Sequence, residues 1–154
     1  MSEQQKFLSV KLIGAVPLTR QAYNQLRGWT MPADENGEDA GYMVRYPDGY
    51  ISWSPAAVFE ESSRPADAMS FGHAVEALKL GNKVARKGWN GKGMFLWYVP
   101  AGKYPARMEA IKGHYPCDLV PYSAYIAMKA ADGAVVPWLA SQTDVLAEDW
   151  EIIV

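Results

Sequence analysis

Two Asp-Gly pairs, Asp48-Gly49 and Asp132-Gly133, each separate two short runs in which apolar and polar residues alternate. An Asp-Gly pair between such runs is a strong signal of a β-hairpin, because glycine accepts the positive φ that the tight turn requires. The chain is therefore predicted to contain two antiparallel hairpins. Helical signals around both hairpins make α+β the predicted fold class, with one small α+β module followed by a second.

The first predicted module spans residues 7–65. Residues 7–16, FLSVKLIGAV, are typical of a strand, and residues 1–6 before them are polar and predicted to be disordered. A short helix is expected between Thr19, which suits the N-cap, and Gly28, which stops it.

A second short helix of this module is predicted to begin at Ser54-Pro55. Serine suits the N-cap and proline suits the first helical position, where a backbone N–H would have no partner. The helix is expected to turn Val58 and Phe59 inward. Residues 62–67, SSRPAD, then resemble a linker between the two modules.

The second predicted module spans residues 66–154 and opens with an amphipathic helix, capped by Ser70 and closed by Gly81. Four apolar residues fall at i, i+3, i+4 and i+7 on one face of this helix: Phe71, Ala74, Val75 and Leu78. A small antiparallel sheet is predicted from the strands at 83–87, 94–100, 125–130, 134–138 and 149–154. Residues 101–120 contain too many prolines and polar breaks for a regular element and are predicted to be a long loop.

The strand at 94–100, MFLWYVP, has apolar side chains on both faces. Such a strand lies in the centre of a sheet or at an interface between subunits. We therefore expect a homo-oligomer.

Composition narrows the function classes. The net charge of −2 gives no overall field that would attract bulk DNA or an anionic membrane, so neither is an expected partner. No apolar run approaches the roughly 18 residues of a membrane span, and the single cysteine excludes an internal disulfide. These features predict a soluble cytoplasmic protein. Six tryptophans and nine tyrosines are many for 154 residues, and such rings serve cores, interfaces and flat ligands.

Two blocks of the second module carry a family resemblance: GWNGKGM at 88–94 and VPWLASQTDVLAEDW at 136–150. Over about residues 69–154 the chain resembles a family of small phage and prophage proteins whose characterised members are the second type of Thoeris anti-defence protein. The resemblance implies a sponge that binds cyclic ADP-ribose signals made by bacterial TIR-domain enzymes, or cyclic dinucleotides, between the subunits of a homo-oligomer. It also implies a dimer or a tetramer that acts in the host cytoplasm. Residues 1–65 resemble another small phage-protein module with no assigned activity.

A sponge for a cyclic adenine nucleotide needs a flat surface for the base, N–H donors for phosphates, and acceptors for ribose hydroxyls. The turn at 88–93 offers an indole and an anion nest, and the segment after the second hairpin offers another indole and a polar cluster. The candidate ligand-binding residues are Trp89, Asn90, Gly91, Lys92, Trp138, Ser141, Gln142, Thr143 and Asp144.

Structural roles compete with each of these assignments. Trp89 is equally suited to plug the core above the helix, and Trp138 to pack against its hairpin. Asn90-Gly91 is a common hairpin turn. Residues 141–144, SQTD, resemble a capping box that opens one helical turn. Trp97 and Trp150, inside strands, are expected in the core or at a subunit interface.

Catalytic and metal chemistry find little support in the sequence. Glu148 and Asp149 are adjacent carboxylates, but nothing in the sequence sets their pKa values apart as an acid–base pair would need. His114 and Cys117 could both bind zinc, but a zinc site needs at least three protein ligands and these are only two. We therefore expect no cofactor, no metal and no enzymatic activity.

Two functions from different classes remain open. The first is a phage anti-defence protein that sequesters a cyclic nucleotide signal without cleaving it. The second is a phage protein–protein interaction or assembly module, or a direct inhibitor of a host protein.

Overall fold

In the computed structural model, residues 6, 8–89 and 92–154 are described, and the chain divides into two compact units, Met1–Arg64 and Pro65–Val154. Both units combine helices with antiparallel sheets, so the predicted α+β class is confirmed. No helix in the described ranges is long and apolar enough to cross a membrane.

The first unit is a three-stranded antiparallel sheet in the order β1-β2-β3, with two short helices. Its elements are β1 (Gly14–Pro17), α1 (Arg20–Arg27), β2 (Gly41–Arg45), β3 (Ile51–Pro55) and α2 (Ala56–Ser62). The Thr19 hydroxyl caps α1 by accepting from the N–H of Ala22, and Gly28 ends the helix with a φ of 69°. Asp48-Gly49 joins β2 to β3, as predicted.

The first strand predicted for this unit is wrong in its extent. The strand expected at 7–16 is limited to Gly14–Pro17, because only these four residues have ladder partners in β2; Leu8, Val10 and Leu12 are exposed. Of the expected disordered start at 1–6, only Lys6 lies within the described residues.

Ser54 does not cap α2, because it belongs to β3, where it pairs with Tyr42. The helix starts one residue after Pro55, and no side chain caps it. Phe59 does turn inward and stacks on Tyr42 with a centroid separation of 4.4 Å, whereas Val58 is 57% exposed.

The second unit is built on a five-stranded antiparallel sheet in the order β10-β4-β5-β8-β9. Its elements are α3 (Phe71–Lys79), β4 (Lys83–Arg86), β5 (Phe95–Val99), β6 (Gly102–Pro105), β7 (Leu119–Tyr122), β8 (Tyr125–Lys129), β9 (Val135–Pro137), α4 (Gln142–Val145) and β10 (Trp150–Ile153). The strand predicted at 94–100 is therefore the central one.

Helix α3 covers one face of this sheet. Ser70 caps it by accepting from the N–H of His73, and its apolar stripe packs on the sheet. The buried core comprises Met69, Ala74, Ala77, Leu78, Val84, Leu96 and Trp150. Trp150 is fully buried, which confirms its predicted place in the core.

The segment 101–120 is not an irregular loop. Strands β6 and β7 pair along Gly102–Pro105 and Leu119–Tyr122 to form a separate two-stranded arm between β5 and β8. Two 3-10 turns, Glu109–Ile111 and Pro116–Asp118, lie at its tip. The prolines fit because Pro105 and Pro121 stand at ladder positions in a two-stranded ribbon, where half of the backbone N–H groups face away from the partner strand.

Candidate functional site

Four aromatic side chains from four different elements meet at one end of the second unit. The buried indole of Trp150, on β10, lies beneath Phe71, Trp89 and Trp138, with ring centroids 5.6, 5.5 and 5.9 Å away. These three rings are partly buried and lie at the edge of the buried core that contains Trp150. We call the four residues the aromatic cluster.

Hydrogen bonds hold the backbone that carries each of the two partly exposed indoles. Trp89 ends a tight turn after β4, in which its N–H donates to the carbonyl of Arg86 at 3.1 Å. Trp138 follows β9, and its N–H donates to the carbonyl of Ile126 on β8 at 2.9 Å. The turn and the sheet edge thus present both rings as a preformed surface.

The rings of Trp89 and Trp138 are 6.3 Å apart between centroids, with an angle of 65° between their planes. A base sandwiched between two rings needs parallel planes about 7 Å apart, since each carbon–carbon contact takes about 3.5 Å. The pair therefore cannot enclose a base as it stands. A flat ligand would stack on the outer face of one indole instead.

Arg86, at the end of β4, holds two carboxylates beside the aromatic cluster. Its Nε donates to Oδ1 of Asp149 at 2.9 Å, and one terminal nitrogen donates to Oδ1 of Asp144 at 3.0 Å. The other oxygen of Asp149 accepts from the N–H of Gly88 at 3.2 Å. Arg86 therefore links the turn that carries Trp89 to helix α4 and to the start of β10.

The predicted capping box forms at the N-terminus of helix α4. The Ser141 hydroxyl accepts from the N–H of Asp144, and Oδ2 of Asp144 accepts from the Ser141 N–H at 3.0 Å and from the Ser141 hydroxyl at 2.6 Å. The carbonyl of Asp144 accepts from the indole N–H of Trp150 at 3.0 Å. Both oxygens of the Asp144 carboxylate are thus engaged by this chain.

The electrostatics follow from this network. Arg86 holds the pKa of Asp149 below its ordinary value by donating to it. Burial would raise the pKa of Asp144, but hydrogen bonds from Ser141 and Arg86 outweigh it and leave that pKa lowered. The pKa of Arg86 is raised in turn, chiefly by Asp149 and then by Asp144. All three groups are charged near neutral pH.

The structure brings five of the sequence-predicted site residues to this end of the unit: Trp89, Trp138, Ser141, Thr143 and Asp144. The Thr143 hydroxyl lies 2.8 Å from that of Ser141. Gln142 and Lys92 are exposed and take no part in the network described above. Asn90 and Gly91, the expected anion nest, lie outside the described residues.

The candidate ligand-binding residues chosen from the sequence did not include Phe71, Arg86, Asp149 or Trp150. The signal for Arg86 was its spacing, because it follows Val84 by two residues on the strand and so shares the face that α3 covers. Its partners Asp144 and Asp149 are 58 and 63 residues away in the chain, which no local pattern reveals. In the described ranges, no group of three or more His, Cys, Asp or Glu residues is arranged to hold a metal ion.

Comparison with known proteins places this site inside a recognised domain. Residues 69–153 match the model of the Thoeris anti-defense 2-like domain. The protein Thoeris anti-defense 2 of Bacillus phage SP01 is 45% identical over 85 residues, which is 55% of this chain and 94% of that relative. The matched region includes residues 101–120 and every residue of the aromatic cluster. Since the domain match covers more than half of the chain, the protein belongs to the Thoeris anti-defense 2-like family.

Proposed function

We propose that this protein is a phage anti-defence protein that binds a cyclic nucleotide immune signal in the host cytoplasm and sequesters it without cleaving it. The observation that carries the proposal is the aromatic cluster, in which two partly exposed indoles stand on a fully buried third beside a hydroxyl-rich helix start. Aromatic stacking contributes about 1–3 kcal/mol per base and tolerates different bases. A cyclic ADP-ribose isomer or a cyclic dinucleotide supplies such a base.

The state of the nearby carboxylates supports binding rather than turnover. A general acid or base works best when its pKa lies near the operating pH. Asp144 and Asp149 have lowered pKa values and stay ionised and paired with Arg86. Two carboxylates held in this state are poorly suited to donate or accept the protons that phosphodiester or glycosidic cleavage requires.

The test is thermal melting of the purified full chain with cyclic ADP-ribose isomers, cyclic dinucleotides, cyclic trinucleotides, linear ADP-ribose and NAD. A ligand at about 100 times its dissociation constant adds about 2.7 kcal/mol to the stability of the folded state. We expect one cyclic class to raise the melting temperature, and denaturation to release that ligand chemically intact. A flat panel, or a ligand recovered as a cleaved product, would contradict the proposal.

Self-association belongs to the same proposal. Leu96 faces α3, so its neighbours Phe95 and Trp97 on β5 point to the opposite face of the sheet, together with Tyr125 and Val135 on β8 and β9. Tyr125 and Val135 are exposed and the two β5 rings only partly buried. An apolar sheet face of this kind fits a homo-oligomeric interface. Light scattering after size exclusion tests it: a Trp97→Glu variant should become monomeric, and a wild-type monomer would rule the interface out.

A protein–protein interaction module is the second candidate. It is favoured by two leucines beside α4, Leu139 and Leu146, which are 91% and 75% exposed. This function predicts a phage or host protein that co-purifies with the wild-type chain and not with a Leu139→Ser, Leu146→Ser variant. It also predicts that no nucleotide in the panel shifts the melting temperature.

A further inference from the structure

We propose that Arg86 is the positioning residue of this site: it fixes the two partly exposed indoles relative to each other and needs no contact of its own with the ligand. The effect of Arg86 on ligand binding rests on the proposed function. The positioning itself can be measured on the protein alone.

The argument begins with what carries each indole. Trp89 is the last residue of the turn 86–89, and four hydrogen bonds anchor that turn to Asp149. Arg86 donates through Nε to Oδ1 and through a terminal nitrogen to Oδ2, the Gly88 N–H donates to Oδ2, and the Lys87 N–H donates to the Asp149 carbonyl at 3.1 Å. Asp149 immediately precedes Trp150, the base of the aromatic cluster. The Arg86–Asp149 pair therefore sets the height of the Trp89 ring above the Trp150 ring.

The second arm of Arg86 acts on the other side of the site. Its bond to Asp144 joins the capping box of α4, and Asp144 also accepts the indole N–H of Trp150 through its carbonyl. Ser141, the N-cap of α4, lies three residues after Trp138. One guanidinium group thus joins the segment after Trp138 to the turn that ends in Trp89.

Burial makes this link stiff. The side chains of Arg86, Asp144 and Asp149 are 21%, 14% and 33% exposed, so the two ion pairs are shielded from solvent more than typical surface pairs. The donors of an arginine form a rigid fork, so one side chain can hold two carboxylates in fixed directions. A lysine at this place lacks the fork, since its ammonium group is a single point charge on a flexible stem.

The first test uses the protein without ligand, labelled with fluorotryptophan and studied by fluorine NMR, with signals assigned through single Trp→Phe variants. In Arg86→Met, the resonances of Trp89 and Trp138 should shift and broaden, while those of Trp29 and Trp53 in the first unit stay in place. Arg86→Lys should give an intermediate spectrum. If the Trp89 and Trp138 signals are unchanged in Arg86→Met, the positioning role is wrong, whatever the ligand proves to be.

The second test measures binding by calorimetry, well below the melting temperature of each variant, with the cyclic ADP-ribose isomers and cyclic dinucleotides as probes. Arg86→Met and Asp149→Asn should each weaken binding by about tenfold to a hundredfold, as happens when a residue that orients the ligands of a metal site is replaced. The double variant should lose no more than the worse single one, because both changes break one link. The matched control is Arg20→Met, which removes the bidentate Arg20–Glu35 pair in the first unit and should leave affinity within about twofold.

Two other results would overturn the inference. If Arg86→Met abolishes binding while Asp149→Asn leaves it intact, Arg86 contacts the ligand directly. If both variants melt at lower temperature but bind normally, the pair serves stability alone. Absence of binding in the wild type would instead remove the proposed function and leave the fluorine result to decide the positioning role.

Discussion

The indole of Trp89 meets the indole of Trp138 edge-on, at 6.3 Å and 65°, and both rest on the ring of the buried Trp150. Because the two planes are inclined at 65°, they form no parallel slot for a base, and an outer face of each ring remains available. The geometry therefore favours stacking of one base on one indole over a sandwich. Trp89 and Trp138 should therefore contribute unequally to binding affinity, because only one of the two rings stacks the base.

Replacing Trp138 by alanine should weaken nucleotide binding about 5- to 150-fold, the equivalent of the 1–3 kcal/mol that one stacked base contributes. Trp138→Phe should keep part of the affinity, since a smaller flat ring remains. Calorimetry measures the effect, and Trp29→Ala, in the first unit, is the matched control for loss of a partly exposed indole. If Trp138→Ala binds as well as the wild type while Trp89→Ala does not, the base stacks on Trp89.

The Arg86–Asp149 pair should make stability depend on pH in one direction. The pKa of Asp149 is lowered in the folded state, so its contribution is complete above the unfolded value of about 3.9 and is lost as pH falls through the folded value. Asp149→Asn should cost about 1–2 kcal/mol at neutral pH, and its deficit relative to the wild type should stay constant above about pH 5 and shrink below pH 4. Urea unfolding at a series of pH values measures this, and parallel profiles would show that the pair does not form.

Local signals in the sequence predicted the element ends well. The caps at Thr19, Ser70 and Ser141 and the two Asp-Gly turns form as expected, because each depends on residues only two or three positions apart. Such interactions exist within one turn of chain and need no distant partner.

The wrong or missing predictions concern contacts between residues that are far apart in the chain. Ser54 looks like a cap, but its pairing with Tyr42 keeps it in a strand. The arm at 102–122 forms because Gly102 pairs with Tyr122 across a proline-containing segment that has no periodic pattern. Arg86 gains its role from partners about sixty residues away. Where a long-range contact decides the structure, the local pattern does not determine it.

Gly41 allows the first unit to bring β2 close to the indole of Trp53. A Cβ at this position would overlap that ring and lie 2.5 Å from the Ser54 carbonyl oxygen, so Gly41→Ala should destabilise the first unit by about 1–3 kcal/mol. Gly14→Ala on β1 is the matched control, since its nearest neighbour would be 3.9 Å away. Hydrogen exchange of the β1–β3 peptides should rise in the first variant only, and equal protection in both would contradict the packing.

Cys117, at the tip of the β6–β7 arm, is exposed and has a φ of 56°, a left-handed conformation that costs a side-chain-bearing residue about 1–2 kcal/mol. Glycine removes this cost but loses about 0.5–1 kcal/mol through its greater freedom in the unfolded chain. Cys117→Gly should therefore be more stable than Cys117→Ala, by about 0.5–1 kcal/mol. Asp118, with a φ of 54°, differs from Cys117 because its Oδ1 accepts from the N–H of Gly113 at 2.6 Å. Asp118→Gly therefore removes the cost of the left-handed backbone but also loses that hydrogen bond. Urea titrations should give Cys117→Gly a higher free energy of unfolding than Cys117→Ala. A Cys117→Ala variant of equal or greater stability would show that the arm relaxes out of the left-handed turn.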